Sequence, residues 1–256
     1  MLLAAYRLLL AGALLFPLFM KHIKEVDSAY KWSHLRATVL PGILLGIHFI
    51  TWITAVHMTT IVNASLIVNL VPITMPFVMI ALMRERLNKM EMIATVISLA
   101  GLYLLSARDF SLNRRYFQGD LLCLFSMIFL TFYLALARKN RNIECIWLYV
   151  VPLYFFGGIF CFITAIFFVN PIHPYPPKEI GLIMGLVLIP TIIGHSILNH
   201  SIKHLRSQIV SIFTLSQFIF AGALAYIIFK EIPSGTFYVA SILLVAGGYI
   251  AIRSTS

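Results

Sequence analysis

Nine apolar stretches divide the chain, and each is long enough to cross a lipid bilayer as a helix. About 20 residues at 1.5 Å each span the hydrocarbon core, and only short polar segments separate the stretches. Because a backbone inside a bilayer must satisfy its own hydrogen bonds, the sequence predicts an all-α polytopic membrane protein. The predicted spans are residues 2–20, 38–57, 63–83, 91–108, 117–137, 146–169, 181–202, 207–229 and 235–253.

The composition supports this prediction and excludes other classes of protein. Hydrophobic residues make up 61% of the chain and charged residues 11%, whereas soluble domains average about 45–50% apolar residues. No polar segment is longer than a loop, so there is no room for a soluble catalytic, ATP-binding or nucleic-acid-binding domain. A membrane-embedded enzyme would need a motif such as HExxH or paired carboxylates inside its helices, and the sequence contains neither. We therefore predict that the protein is not an enzyme.

Neither a cofactor nor a metal site is predicted. The cysteines, Cys123, Cys145 and Cys161, lack the spacing of metal ligands or of a disulfide framework. His200 and His204 are four residues apart, as on one helix face, but the sequence offers no third ligand beside them.

The basic residues are distributed unevenly between the two sides of the membrane. Of the 19 lysines and arginines, thirteen fall on the same side of the predicted spans, which the positive-inside rule assigns to the cytoplasm. The net charge of +10 is therefore explained by topology, and no nucleic-acid partner is expected. An odd number of spans then places Met1 outside and the C-terminus in the cytoplasm. The thirteen residues are Lys21, Lys24, Lys31, Arg36, Arg84, Arg86, Lys89, Arg138, Lys139, Arg141, Lys203, Arg206 and Arg253.

A gapless offset of 146 residues aligns the first part of the chain with the last. This single offset aligns almost the whole first part of the chain, which chance repetition of apolar residues would not produce. The offset pairs Gly101 with Gly247, Ala94 with Ala240, Glu85 with Glu231, and Gly12 with Gly158.

Five helices separate equivalent positions, so the second copy crosses the membrane in the opposite direction. The sequence predicts two inverted-topology repeats: residues 1–112 with four helices, and residues 113–256 with five. The first repeat lacks its own first helix, and span 117–137 has no counterpart. Many secondary transporters are built from inverted repeats, with the substrate site near the bilayer midplane.

Two segments carry the most specific family signals. NASLIVNLVPITMPFVMIALMRERL, residues 63–87, is an apolar helix with a central proline and a Glu-Arg-Leu end, and SQIVSIFTLSQFIFAGALAYIIFKEIPS, residues 207–234, is its second copy. These segments resemble the EamA-type permeases of the drug/metabolite transporter superfamily, and the resemblance covers nearly the whole chain. The sequence departs from the family in lacking the first of ten helices. It also has Gln217-Phe218 where the family often has Glu-Pro.

The resemblance implies a secondary transporter in the plasma (bacterial inner) membrane that moves a small metabolite or amino acid by alternating access. We favour export as the direction. The expected partners are a small-molecule substrate and the lipid bilayer. Assembly as a homodimer is an open alternative. The alternative is a non-transporting remnant or an assembly partner of a membrane complex, because the first helix of the family is missing.

Polar side chains in the middle of the spans are the candidates for the substrate pathway. They are costly inside a membrane and usually face a cavity or another helix. Spacings of three or four residues put most of them on shared helix faces. The predicted pathway residues are the pairs His48 and Trp52, Thr191 and His195, and Thr214 and Gln217, together with Asn69. Pro72 and Pro76 predict a helix bend, because proline donates no backbone hydrogen bond.

Simpler roles stay open for these residues. A lone polar side chain often joins two helices, an interaction worth about 1 kcal/mol, and the prolines can serve packing alone. Glu85 and Glu231 adjoin basic residues, so salt-bridged helix ends are the simpler interpretation. The pairs Gly42/Gly46 and Gly181/Gly185 have the spacing of closely packed helices.

Overall fold

The computed structural model describes residues 1–26, 30–107, 112–170, 175–230 and 232–254 of the chain. Within these ranges, nine helical spans are long and apolar enough to cross a membrane, which confirms the predicted number. Six spans are single helices and three are interrupted. The helices are α1 (Leu2–Val26), α2 (Trp32–Val56), α3 (Ile61–Val68), α4 (Val71–Met83), α5 (Lys89–Ser106), α6 (Phe117–Lys139), α7 (Ile146–Ile166), α8 (Pro177–Leu186), a π-helix (Val187–His195), α9 (Ser196–His204), α10 (Ser207–Thr214), α11 (Gln217–Phe229) and α12 (Gly235–Arg253).

Several helices extend beyond the bounds predicted from hydrophobicity. α1 continues past residue 20, its predicted end, as far as Val26. This extension carries Lys21 and Lys24, whose long side chains can reach interfacial water while the backbone stays helical. Hydrophobicity therefore located the spans correctly but underestimated polar ends such as this one, whereas the span predicted over 146–169 ends earlier, at Ile166.

Two interrupted spans break at positions that the 146-residue offset makes equivalent. α3 ends at Val68 and α4 begins at Val71. In the second copy, α10 ends at Thr214 and α11 begins at Gln217. Both breaks lie roughly halfway along their spans, so the repeat extends from sequence to backbone geometry.

The helix ends that follow these breaks also match. α4 is capped by Arg84 and α11 by Lys230, with φ angles of 56° and 57° in the left-handed region. Arg84 and Lys230 are also 146 residues apart. The structure thus supports the inverted repeat with four and five helices, while the proposed boundary between residues 112 and 113 stays a prediction.

Packing divides the chain into two compact units, and each unit takes helices from both repeats. The first unit comprises Met1–Thr54 and Phe132–His204, and the second comprises Ala55–Thr131 and Leu205–Ser256. α1 and α2 therefore belong with their counterparts α7 to α9. Likewise, α3 to α5 belong with α10 to α12.

In the second unit, α5 and α12 pack through reciprocal glycine contacts. A Cβ atom added to Gly101 would lie 3.0 Å from the carbonyl oxygen of Ala240, and one added to Gly247 would lie 2.9 Å from that of Ala94. Ala94 and Ala240 are themselves equivalent in the repeat. Small residues let helix backbones approach closely where no hydrophobic force draws helices together.

The first unit uses glycine in the same way. A Cβ atom on Gly158 would lie 2.9 Å from the Leu9 nitrogen of α1. On α2, Cβ atoms on Gly42 and Gly46 would lie 2.6 and 3.0 Å from carbonyl oxygens of α7, so close packing at this pair is confirmed. The same prediction for Gly181 and Gly185 is wrong, because nothing lies within 4 Å of a Cβ atom at either position.

Gly247→Ala is expected to destabilise the protein. The new Cβ atom would meet Ser98 Oγ at 2.0 Å and the Ala94 carbonyl oxygen at 2.9 Å, and the backbone oxygen cannot rotate away. Overpacking of this kind costs about 1–3 kcal/mol, which lowers Tm by about 2–4 °C per kcal/mol in a chain of this size.

Thermal unfolding of the purified protein measures this effect, and Gly185→Ala is the matched control. Because a side chain at Gly185 meets open space and alanine favours helix, the control should leave Tm unchanged or slightly higher. Equal Tm values for the two variants would contradict the close packing of α5 and α12.

Candidate functional site

The predicted pathway residues lie in both units. His48, Trp52, Thr191 and His195 belong to the first unit, and Asn69, Thr214 and Gln217 belong to the second. Each set is described within its own unit.

In the second unit, the break between α3 and α4 lies just before Pro72, the second residue of α4. Pro72 has no N–H to bond the preceding turn, and proline is tolerated in the first turn of a helix. Asn69 caps α3 and donates its side-chain Nδ2 to the Ser65 carbonyl at 2.8 Å. Pro76 lies inside α4 without interrupting it, so the break accompanies only the first of the two prolines.

Pro76 has a different consequence, because its missing N–H leaves the Pro72 carbonyl without a helical donor. The side chain of Gln208 supplies one: Nε2 donates to the Pro72 oxygen at 2.9 Å and to Thr95 Oγ1 at 2.7 Å. Gln208 is buried. It therefore connects α10 to both α4 and α5 and supplies a donor to a buried carbonyl that would otherwise lack one.

Two predicted pathway residues meet at the symmetric breaks. Gln217 donates its side-chain Nε2 to Asn69 Oδ1, so the residue that caps α3 contacts the first residue of α11. Asn69 is buried, whereas Gln217 is exposed. The pair places amide groups beside both interruptions in the middle of the spans.

Thr214 and Gln217 do not share one continuous helix, because the second break lies between them. Hydroxyl groups around this break donate to carbonyls three residues earlier. Thr214 Oγ1 donates to the Ser211 oxygen at 2.7 Å, and Ser216 Oγ donates to the Phe213 oxygen at 2.6 Å. Such bonds compete with the backbone N–H groups and bend helices.

The third interrupted span contains the π-helix of the first unit. Pro190 lies within it and cannot donate to the Leu186 carbonyl one turn earlier. In a π-helix each backbone N–H donates to the carbonyl five residues earlier, which for Thr191 is that of Leu186, and Thr191 Oγ1 also donates to this oxygen at 2.8 Å. π-Helical turns are rare and frequently occur at functional sites.

Arg7 of α1 completes a polar cluster around this π-helix. Its Nε donates to Thr191 Oγ1 at 3.2 Å, and its Cζ lies 4.2 Å from the centre of the Phe49 ring. His195 contacts the same ring edge-to-face, with centroids 5.2 Å apart. Arg7 is only 7% exposed. Two predicted pathway residues, Thr191 and His195, are therefore gathered around a buried cation.

Buried hydroxyl and amide groups extend the cluster along the same span. Tyr154 OH donates to the Thr191 carbonyl at 3.1 Å and lies 3.2 Å from Ser196 Oγ. Asn199 donates its side-chain Nδ2 to the Tyr133 hydroxyl and, at 2.7 Å, to the His195 carbonyl. These bonds position the backbone that carries Thr191 and His195.

The other predicted pair of the first unit is less closely connected to this cluster. His48 is buried on α2 beside Phe49, with ring centroids 5.2 Å apart, and Trp52 is half-buried. His48 is the residue before Phe49, whose ring contacts both Arg7 and His195.

A salt-bridge cluster lies at the predicted cytoplasmic ends of α5 and α10. Arg206 Nε lies 2.5 Å from Glu91 Oε1 and 3.8 Å from Glu85 Oε1. The ion pair expected at Glu85 is thus present, while Glu231 lies outside the described residues. Glu91 is fully buried and also accepts a hydrogen bond from the Asn88 backbone N–H at 2.9 Å.

Sequence reasoning missed two residues of these sites. Arg7 was counted only as a topology signal, although an arginine inside an apolar span is a signal of function. Gln208 lies near a span end, where polar residues are common, and nothing in the sequence reveals that it contacts Pro72. The sequence does indicate that a donor is needed, because Pro76 inside a helix frees the carbonyl four residues earlier, but it does not indicate which side chain supplies it.

The fold and its surface define an integral multi-pass membrane protein. Large apolar side chains such as Phe77 and Ile61, 71% and 73% exposed, cover outward-facing helix surfaces. Twenty-seven chains of solved structures match. One crystal structure superposes with a TM-score of 0.80 at 19% identity, covering 100% of this chain and 89% of the other. No curated protein sequence matches the chain.

Family comparison then identifies the kind of membrane protein. The EamA-like transporter family matches residues 1–107 and 117–253, nearly the whole length. The chain belongs to the EamA-like transporter family. Membership implies a transporter of the drug/metabolite type, as the resemblance of its sequence indicated.

Gln208→Met is expected to lower the stability of the protein. The substitution keeps side-chain volume but leaves the Pro72 carbonyl and Thr95 hydroxyl without their amide donor, which costs about 1–3 kcal/mol for a buried group. Gln118→Met is the control, because Gln118 is exposed near the start of α6. Thermal unfolding should show a lower Tm for Gln208→Met alone. An unchanged Tm would show that the carbonyl needs no side-chain donor.

Proposed function

We propose that this protein is a secondary transporter that moves a small metabolite or amino acid by alternating access, with export as its direction. The observation that carries the proposal is the pair of equivalent breaks, at Asn69–Leu70 and Leu215–Ser216. Interrupted helices in inverted repeats form the substrate and ion sites of many secondary transporters, because the freed backbone groups and helix ends can bind solutes at mid-depth. Family membership agrees with this class.

The proposed pathway consists of the seven residues predicted from the sequence. The contact between Asn69 and Gln217, and the position of Thr191 and His195 around Arg7, support a role for these side chains beyond packing. The residues assigned to the pathway are His48, Trp52, Asn69, Thr191, His195, Thr214 and Gln217.

The proposed location is the plasma (bacterial inner) membrane with the C-terminus in the cytoplasm. The excess of basic residues on one side of the spans supports this orientation.

Counterflow in proteoliposomes tests transport. Vesicles loaded with one unlabelled solute are diluted into a trace of the same labelled solute, across a panel of amino acids, nucleosides and small organic acids. We expect at least one label to accumulate above the level in protein-free vesicles. The same assay in vesicles of known sidedness tests export. Exchange of no solute would favour the alternative, a non-transporting remnant or assembly partner.

His48→Ala should reduce this exchange by about fivefold, the equivalent of one hydrogen bond worth about 1 kcal/mol. His57→Ala is the matched control, because His57 is exposed in the turn after α2. Full exchange by His48→Ala would remove His48 from the proposed pathway without affecting the transport proposal.

Fusions at the C-terminus test the orientation. A fluorescent protein that folds only in the cytoplasm should fluoresce there, while alkaline phosphatase, which is active only outside, should be inactive. The reverse pair of results would contradict the assignment of the thirteen basic residues to the cytoplasmic side.

A further inference from the structure

We propose that the guanidinium of Arg7 binds the carboxylate of the transported solute, so that the substrates of this protein are small metabolites carrying one carboxylate. This inference rests on the proposed transport function and adds the chemical class of the substrate. The site lies within the first unit, between α1, α2 and the π-helix.

Arg7 is a buried cation with no acidic partner in the described part of the chain. It lies within the first two turns of α1 and is 7% exposed. The salt bridges among the described residues involve other groups. Removing a charge from water without a counterion is costly. An arginine retained in such a place therefore points to an anion that arrives from outside the protein.

The hydrogen-bond donors of Arg7 are largely unused. A guanidinium has five N–H donors, and the bond to Thr191 uses only the one on Nε. The described residues accept no hydrogen bond from the two terminal nitrogens. These nitrogens form the planar fork that binds a carboxylate through two parallel hydrogen bonds.

Two contacts hold this fork in a fixed orientation. The Phe49 ring supports the guanidinium at 4.2 Å, and Thr191 holds Nε. Thr191 is itself fixed by its bond to the Leu186 carbonyl in the π-helix. Preorganisation of this kind lowers the entropy cost of binding.

A second polar atom of the cluster has no hydrogen-bond partner among the residues that the structure describes. His195 Nδ1 is buried and makes no hydrogen bond to the described residues, although buried polar atoms normally have a partner. His195 and Arg7 contact the same Phe49 ring. His195 is thus placed to make a second contact to a solute held by Arg7.

The charge balance favours a monoanion. One arginine compensates one negative charge, whereas a phosphate dianion or a dicarboxylate would retain an uncompensated charge in a buried site. A lipid phosphate is the other anion available to an arginine near a helix end. However, an arginine that reaches for headgroups exposes its guanidinium, whereas Arg7 is 7% exposed and its guanidinium packs against Phe49 and bonds Thr191.

Binding is tested by thermal unfolding of the purified full chain in detergent micelles. The probes are sodium propionate, sodium benzoate and L-phenylalanine, compared with propionamide, benzamide, L-phenylalaninamide, sodium phosphate and sodium chloride at matched ionic strength. A carboxylate at about five times its Kd should raise Tm by about 2–4 °C. Carboxylates that raise Tm no more than their amides, or no more than phosphate, would overturn the proposal.

Variants then assign the effect to Arg7. Arg7→Gln should abolish the carboxylate-dependent rise, and Arg7→Lys should reduce it, because lysine keeps the charge but lacks the fork. Arg115→Gln, at an exposed arginine, should keep it in full. A rise that persists in Arg7→Gln would overturn the proposal. If Arg7→Gln does not fold, the test is Arg7→Lys. A carboxylate-dependent rise in Tm as large in Arg7→Lys as in the unmodified chain would overturn the proposal.

Counterflow with the same proteins separates this inference from the transport proposal. We expect exchange of carboxylates by the unmodified chain, reduced about tenfold or more in Arg7→Gln through loss of a charge-paired contact. Exchange of neutral solutes alone, without a carboxylate-dependent rise in Tm, would overturn the inference and leave transport intact. A rise that depends on Arg7, with exchange of no solute, would instead overturn transport and leave an anion site.

Discussion

Two prolines inside the helices of this protein lie where buried polar side chains bond to the backbone. A bilayer offers no water to an unpaired carbonyl, and leaving one buried costs several kcal/mol. Pro76 frees the Pro72 carbonyl one turn earlier, and Gln208 supplies the missing donor. Around Pro190 the backbone forms a π-helix, where Thr191 Oγ1 donates to the Leu186 carbonyl. Thr191 then also accepts a hydrogen bond from Arg7. The same hydroxyl group thus bonds both the π-helix backbone and the buried cation.

The inverted repeat gives the structure its second constraint. Equivalent helices pack together through glycines. Gly101 of α5 lies against Ala240 of α12, and Gly247 of α12 lies against Ala94 of α5. Because the two copies are so similar in backbone, a break needed in one copy recurs in the other. The amide pair of Asn69 and Gln217 lies at these breaks, so the irregular backbone of the second unit has polar side chains beside it.

The sequence predicted the helices and the repeat, but it did not predict the side-chain contacts of Arg7 and Gln208. Apolar length predicted all nine spans, and one offset predicted which helices are equivalent, because both depend on patterns that extend over many residues. The break between α10 and α11 has no proline beside it, so nothing in its own segment predicted it. Arg7 was assigned to topology, since its neighbours Phe49 and Thr191 are distant in sequence. Gly181 and Gly185 show that spacing alone does not predict close packing.

The composition of the two units has a consequence for biogenesis. The first unit joins Met1–Thr54 to Phe132–His204, so the ribosome releases α1 and α2 well before α7 exists. Until then, the glycine faces of α1 and α2, at Gly12 and Gly42, have only lipid or the insertion machinery to cover them. The helices between them in sequence enter the membrane before α7 is available to pack against α1 and α2. Assembly of the first unit is therefore a late event, and a ribosome that stalls before residue 147 leaves a membrane-inserted fragment with no partner for its first two helices.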